Sequence, residues 1–361
     1  MRRILIDARW IEKPRGLGRY VRELLYAIGR QQLTDLEIFV LTPRGSEERV
    51  LKLGAFKIVS VRAVPVPIWE QVFVPFFAWR VRAEVVHSPC NTTSVWFARG
   101  TRRCVVTVHD LMFFDVRGAT WYQCVGNAYR RFVVSRLRGP NYTLLAVSEA
   151  TRESIRKRLG CTATVILEPV SNFVSCGTGG TCSSEGGRGR PYFVHVGGLA
   201  AHKNTQLVVD AFNASGLSEC KLIILGVPRE SRVATRWRSE SVVIPGWISD
   251  REVANYIAGA IAMLFPSLME GYGLPILEAF ALGCPVITSE QAPMSEIAGG
   301  AAILVNPRSV AMVTEACRRV ARDAVLRRQL VERGLRRASE FSSERIGEEL
   351  VARYLDVARD V

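Results

Sequence analysis

Apolar runs of four to six residues recur along the chain and alternate with amphipathic stretches. The first, from Arg3 to Ala8, fits a buried strand. A glycine-containing loop, Pro14 to Gly18, breaks it, and from about Arg19 to Ile28 the apolar positions fall at helical spacing. EIFVLT, KIVSV, VVHS, CVVTVH and TLLAVS carry the strand series to residue 148, with helical material between several of them. Strands and helices in alternation predict an α/β sandwich around a largely parallel sheet.

The periodicity stops at Val170, where VSNFVSCGTGGTCSSEGGRGR is dominated by Gly, Ser and Thr. That composition predicts a linker or mobile loop. A second series follows: YFVHVG, KLIILG, SVVIPG, AMLFPS, PVITS and AILVNP. The expected organisation is two Rossmann-like domains, residues 1–170 and 191–340, joined by the Gly/Ser-rich segment 171–190. Residues 341–361 read as a charged amphipathic helix free to pack across the domain junction. Open α/β sheets bind ligands outside the carboxyl ends of their strands. Two such domains facing each other across a cleft would therefore offer a site on each wall.

Composition narrows the class. A chain of 361 residues, 48% hydrophobic, exceeds the size of a single growing core, which agrees with two domains. Nine cysteines, scattered and without a CxxC pair, argue against a disulfide framework or a structural zinc and suit a reducing cytoplasm. MRRILIDARW lacks the apolar core of a signal peptide, and no run reaches membrane-spanning length, so a protein neither secreted nor integral to a membrane is expected. The formal charge of +14 is unevenly spread. Residues 1–170 hold 27 Lys and Arg against 14 Asp and Glu, a net +13; residues 171–361 hold 21 against 20, a net +1. One domain is thus expected to face something anionic, nucleic acid or a phospholipid surface. No RNA-binding signature, zinc-finger spacing or basic heptad helix favours nucleic acid. No GxGxxG follows either first strand, which weakens a hydride-transfer reading, and no cofactor is expected.

The most informative stretch is MEGYGLPILEAFALGCPVIT, Met269 to Thr288. Strand AMLFPS leads into a loop, Leu268 to Leu274, and Pro275 suits the first turn of a short helix that Gly283 would end. The helix start and the backbone of Gly271, Tyr272, Gly273 and Leu274 predict a cradle for a diphosphate. Glu270 and Glu278 flank that cradle. Carboxylates only accept hydrogen bonds, and sugar hydroxyls can supply two at once, so the pair is expected to hold hydroxyls rather than a metal. Taken singly, Glu278 is an acid favoured by a helix N-terminus and Glu270 a solvated loop charge.

This stretch, together with SEIAGGAAILVNP, resembles the retaining GT-B glycosyltransferases of family GT4, and in particular the bacterial mannosyltransferases of cell-envelope polysaccharides. Glu270 to Glu278 matches their E-x7-E motif. The resemblance implies that Glu270 contacts the donor sugar, Glu278 the ribose, and the amides of Gly271 to Leu274 the sugar and diphosphate. HVGGLAAHKNTQLVVDAF brings Lys203 to the donor phosphates, where a cation offsets charge developing on the leaving group. Many members carry arginines where this chain has Gly198 and His202, which leaves Lys203 as the main cation. Trp247, in SVVIPGWISD, falls beside the base. PRGLGRYVREL supplies Gly16 and Gly18 near the donor phosphate, and VVTVHDLMFF supplies His109, which touches the donor sugar and matters for turnover. His87, Asn91 and Ser148 are further candidates in the acceptor domain.

No Asp-x-Asp pair occurs, so a reaction without a divalent cation is expected. The run around WEQ, followed by HSPCNT, is similar to members using GDP-mannose in O-antigen or exopolysaccharide assembly. An acceptor saccharide, lipid-linked at the cytoplasmic face of the inner membrane, would account for the basic first half, and VPVPIWEQVFVPFFAW offers apolar groups to that interface or else a buried core segment. Two rival readings remain: a nucleotide-sugar 2-epimerase of the same architecture, and a non-catalytic basic module that binds nucleic acid or anionic lipid.

Overall fold

The computed structural model describes residues 1–13, 16–99, 102–115, 120–170 and 190–359. Of the segment 171–190, only Arg190 is among them. The chain divides into two compact units, Met1–Pro169 with Phe341–Val361, and Val170–Glu340.

The first unit is built on seven parallel strands: β1 (Arg2–Asp7), β2 (Leu36–Pro43), β3 (Lys57–Val61), β4 (Val85–Ser88), β5 (Arg103–Val108), β6 (Tyr142–Ala146) and β7 (Thr164–Val165). Their order is β3-β2-β1-β4-β5-β6-β7. Ile4 of β1 stands opposite Ile38 on one side and Val85 on the other. Ile4, Leu5 and Ile6 are all fully buried, as a parallel strand covered on both faces demands. Six of these strands match the sequence series; β7, two residues at the sheet edge, is additional.

The second unit holds β8 (Tyr192–Val196), β9 (Lys221–Leu225), β10 (Val242–Val243), β11 (Met263–Phe265), β12 (Val286–Ser289) and β13 (Ile303–Val305), in the order β10-β9-β8-β11-β12-β13. Phe193, Leu222, Leu264 and Ile287 lie in its main hydrophobic core. In each sheet the strand order reverses once, between β1 and β4 and between β8 and β11. Connections leave those neighbours in opposite directions, which opens a crevice at their carboxyl ends.

The helix Leu17–Gly29 buries Val21, Leu24, Leu25 and Ile28, one face at three-and-four spacing. Against it lies the last helix, Ser343–Arg359, which buries Ile346, Leu350, Tyr354 and Val357. The two backbones come so close that a Cβ on Gly347 would sit 2.3 Å from the carbonyl of Ala27. Tyr354 reaches further, and its hydroxyl bonds Nδ1 of His87, at 2.5 Å, on β4. The helix predicted from residue 341 onward thus belongs to the first unit.

Val66–Arg80 is helical with a π turn over Trp69–Phe73. Trp69 and Glu70 are buried, whereas Ile68, Val72, Phe76 and Trp79, at spacings of four, four and three, are 46% to 62% exposed. Among the described residues no helix is long and apolar enough to cross a membrane.

Candidate active site

At the switch point of the second sheet, two loops converge. The loop after β8 ends in a single 3-10 turn, Ala201–Lys203, and the loop after β11 carries Glu270. The backbone joins them, since the amide of Leu268 donates to the carbonyl of His202 at 2.8 Å. Asn204, with φ of 58°, sends its side-chain amide to the carbonyls of Pro266 at 3.0 Å and Pro307 at 2.6 Å. Those bonds fix the position of Lys203. Its ammonium donates to both oxygens of Glu270, at 2.8 and 3.0 Å, and lies 5.2 Å from the ring centroid of Phe265. The side chains are 23% and 12% exposed, so the pair sits largely out of water. An ammonium has three donors, and holding the carboxylate uses two of them, which leaves one for an incoming phosphate oxygen.

His202, half-buried beside the pair, has its imidazole pKa lowered by burial, with Glu270 opposing and Lys203 adding to the shift. Beneath the turn, burial drops His195 to about 4, against the hydrogen bond to the carbonyl of Leu264. The neutral ring accordingly donates from Nδ1 to that carbonyl at 2.7 Å and accepts at Nε2 from Thr205 at 3.0 Å.

The helix Leu274–Ala281 starts immediately beyond Glu270, with Gly273 as its N-cap and proline in its first turn. Glu278 lies about one turn in and is buried, as is Tyr272. Gly198 lies in the loop after β8, its α-carbon face against the Lys203 side chain. Trp247 follows edge strand β10, separated from β11 by β9 and β8, and is 64% exposed. The second unit therefore brings Lys203, His202, Glu270 and the helix start together and leaves Trp247 apart.

His109 follows β5 in the first unit, and every polar group it has is engaged. Its amide donates to Asn91 Oδ1 at 2.6 Å and its carbonyl accepts from Thr151 at 3.0 Å. Nδ1 faces Glu168 at 2.7 Å and Nε2 faces the carbonyl of Pro89 at 2.8 Å. Burial opposes the imidazolium, but the Glu168 charge, its hydrogen bond and the Pro89 carbonyl outweigh that, and the pKa is raised. The ring is thus a buried cation with both N–H groups committed. Tyr20 presents its ring edge-on at 4.5 Å and donates its hydroxyl to Thr107 at 3.3 Å, where His87 Nε2 also bonds at 2.9 Å.

Gly16 caps the helix that carries Tyr20. Gly18, in the first turn of that helix, lets it pack against the preceding loop, because a Cβ there would lie 2.3 and 2.4 Å from the carbonyls of Lys13 and Trp10. Ser148 is the N-cap of the helix Glu149–Leu159 and accepts from the Thr151 amide at 3.1 Å. Sequence reasoning missed Glu168 entirely. Its one signal was an acid directly before a proline at the end of an apolar run, VILEP. Among the described residues no three His, Cys, Asp or Glu side chains gather as a metal site.

The architecture, two parallel sheets each with a switch-point crevice, is the GT-B fold of glycosyltransferases. Sucrose-phosphate synthase from Thermosynechococcus elongatus superposes over 100% of both chains with a TM-score of 0.77 at 16% identity. Residues 190–323, which contain the Lys203–Glu270 pair and Glu278 and lie within the second unit, match the family model for glycosyl transferases group 1. Over 109 residues the chain is 31% identical to O-antigen chain mannosyltransferase B of Escherichia coli, a match covering 30% of this chain and 29% of the relative. It is 33% identical over 109 residues to a GDP-mannose-dependent alpha-(1-6)-phosphatidylinositol dimannoside mannosyltransferase of Mycobacterium tuberculosis, covering 29% and 28%. The chain thus aligns with less than a third of the length of these relatives.

Proposed function

We propose that the protein is a retaining hexosyltransferase that moves mannose from GDP-mannose to a saccharide or lipid-linked acceptor in cell-surface polysaccharide synthesis. The observation that carries this reading is the Lys203–Glu270 pair at the β8/β11 switch point, beside a helix start that offers backbone amides to an anion. Both named relatives are mannosyltransferases, and one is GDP-mannose-dependent, which supports the sugar and the base.

In this reading Lys203 and the amides of Gly271 to Leu274 take the charge that develops on the leaving diphosphate. Glu270 holds sugar hydroxyls and Glu278 those of the ribose. The acceptor hydroxyl attacks the anomeric carbon on the face from which the diphosphate departs. The carbon–oxygen bond to the diphosphate breaks, its electron pair stays on the phosphate oxygen, and that oxygen takes the acceptor proton. His109, with both ring nitrogens engaged inside the first unit, is a fixed positive charge there rather than a proton carrier. Calorimetry without added metal is the direct test. GDP binds, UDP and ADP bind more weakly, and Glu278→Ala weakens GDP binding by about tenfold or more. Equal affinities for the three nucleotides, or no effect of the substitution, overturn the donor assignment.

The acceptor side of the same proposal includes contact with an anionic membrane surface. Ile68, Val72, Phe76 and Trp79 form an exposed apolar stripe, Arg80 and Arg82 adjoin it, and residues 1–170 carry a net +13. The chain is expected to co-sediment with phosphatidylglycerol vesicles and not with phosphatidylcholine vesicles. Phe76→Asp with Trp79→Asp abolishes the binding; retention by the double variant rules the stripe out.

A further inference from the structure

We propose that Arg9 anchors a separate substrate subsite, one that takes the phosphate or carboxylate group of an anionic acceptor saccharide. The proposal rests on the transferase reading, for which it names the acceptor's chemistry.

Arg9 lies just past the carboxyl end of β1, at the switch point of the first sheet, where open α/β sheets hold ligands. Around it the acids are already satisfied by neutral donors. Asp7 Oδ1 accepts Trp69 Nε1 at 2.8 Å and the Arg9 amide at 3.0 Å. Glu70 accepts the hydroxyls of Thr92 and Tyr129, each at 2.7 Å, and Tyr129 accepts from Gln71 at 2.9 Å. The Arg9 guanidinium lies 5.3 Å from the ring centroids of both Trp10 and Trp69. Its Nε and Nη1 are buried and have no hydrogen-bond partner among the described residues.

An arginine that only packs lays its stem along apolar surface and keeps its head in water. Here the head lies over two indoles, and two of its three nitrogens are turned away from water, a state that calls for an acceptor to complete it. Burial pushes Asp7 up to about 6 and Glu70 up to about 7, so both carboxyl groups are poised to take up a proton when an anion enters beside Arg9. The fork of N–H groups matches a phosphate or carboxylate.

The saccharide follows from the adjoining surface. The helix Trp121–Val134, which supplies Tyr129, begins with Trp121 and Tyr122, 79% and 82% exposed. Tyr122 lies near enough to act on the charge of Arg9. Exposed aromatic faces beside an anion anchor suit a sugar ring that bears an acid group.

The test is calorimetry on the full chain in GDP at a concentration that fills the donor site, with mannose 1-phosphate, glucuronic acid and neutral methyl mannoside as probes. One or both anionic sugars bind about tenfold or more tighter than the neutral one, and whichever wins identifies phosphate or carboxylate as the source. Arg9→Ala removes that preference, and Arg9→Lys keeps part of it. Should Arg9→Ala fail to fold, Arg9→Lys decides: an undiminished preference counts against the fork. Equal binding of all three probes, no binding, or an unchanged preference in Arg9→Ala overturns the subsite. GDP affinity of the same variants separates this outcome from failure of the donor reading.

Discussion

Lys203→Ala is expected to lower kcat/KM for sugar transfer by about 10²- to 10³-fold, the loss typical of removing one preorganised group from a developing negative charge. The effect should fall on kcat as well as on KM, because the ammonium meets more charge in the transition state than in the bound donor. Lys203→Arg restores part of the rate. Glu270→Gln separates the two halves of the pair: it keeps a hydrogen-bonding group but removes the charge, so nucleotide affinity holds or rises while turnover with the intact sugar donor falls. Initial rates with a nucleoside diphosphate sugar, at varied donor and fixed acceptor, read all three variants. A rate for Lys203→Ala within about twofold of the parent would remove Lys203 from the mechanism.

The second large effect concerns stability. Glu168→Gln removes the buried carboxylate that holds His109 as an imidazolium, and breaking a buried pair by deleting one charge typically costs about 3–5 kcal/mol. In the parent chain the His109 pKa is raised, so its contribution to stability is fully present below the ordinary histidine value and disappears as pH rises through the folded value. In the variant burial, the largest influence on the ring, is opposed only by the Pro89 carbonyl and the weaker Asp110 charge. The balance then favours the neutral form, and the variant loses stability as pH falls. Denaturant unfolding at pH 5.5 and 9 should therefore show a gap between parent and variant that narrows toward alkaline pH. The chain has four histidines, and burial keeps His87 near 3 and His195 near 4, so ring resonances of His109 are read against little background. A gap that stays constant with pH would mean that the pair is not ionic.

Much of the fold was legible because a parallel strand covered on both faces must be a short apolar run. KIVSV and VVHS coincide with β3 and β4 residue for residue. β7 escaped notice because two residues at a sheet edge leave no periodic signal. Glu270, the GYGL loop and the helix start with Glu278 could be grouped from the sequence because they lie close in it, within a loop and the helix it starts, and local spacing carries their geometry. Lys203 and Glu270 are 67 positions apart, and their pairing is a product of strand order, which residue spacing does not encode. The same holds for Glu168 and His109, 59 apart, and for the environment of Arg9, which draws on β1, the π turn at Trp69 and the helix of Tyr129. The Val64–Trp79 segment shows why a choice between core and surface was ill posed. A helix with buried Trp69 and Glu70 and exposed Phe76 and Trp79 is both.

Because Tyr354 and the helix around it complete the first unit, that unit is interrupted in the polypeptide by the whole of the second. During synthesis the early strands emerge long before the helix that covers Val21, Leu24 and Leu25, while the later unit has all of its strands in one continuous stretch. The unit made second can therefore finish first, and the helix crossing at Gly347 becomes the last assembly step. Until then the face beside Ala27 is open, a window in which a chaperone can hold the nascent chain.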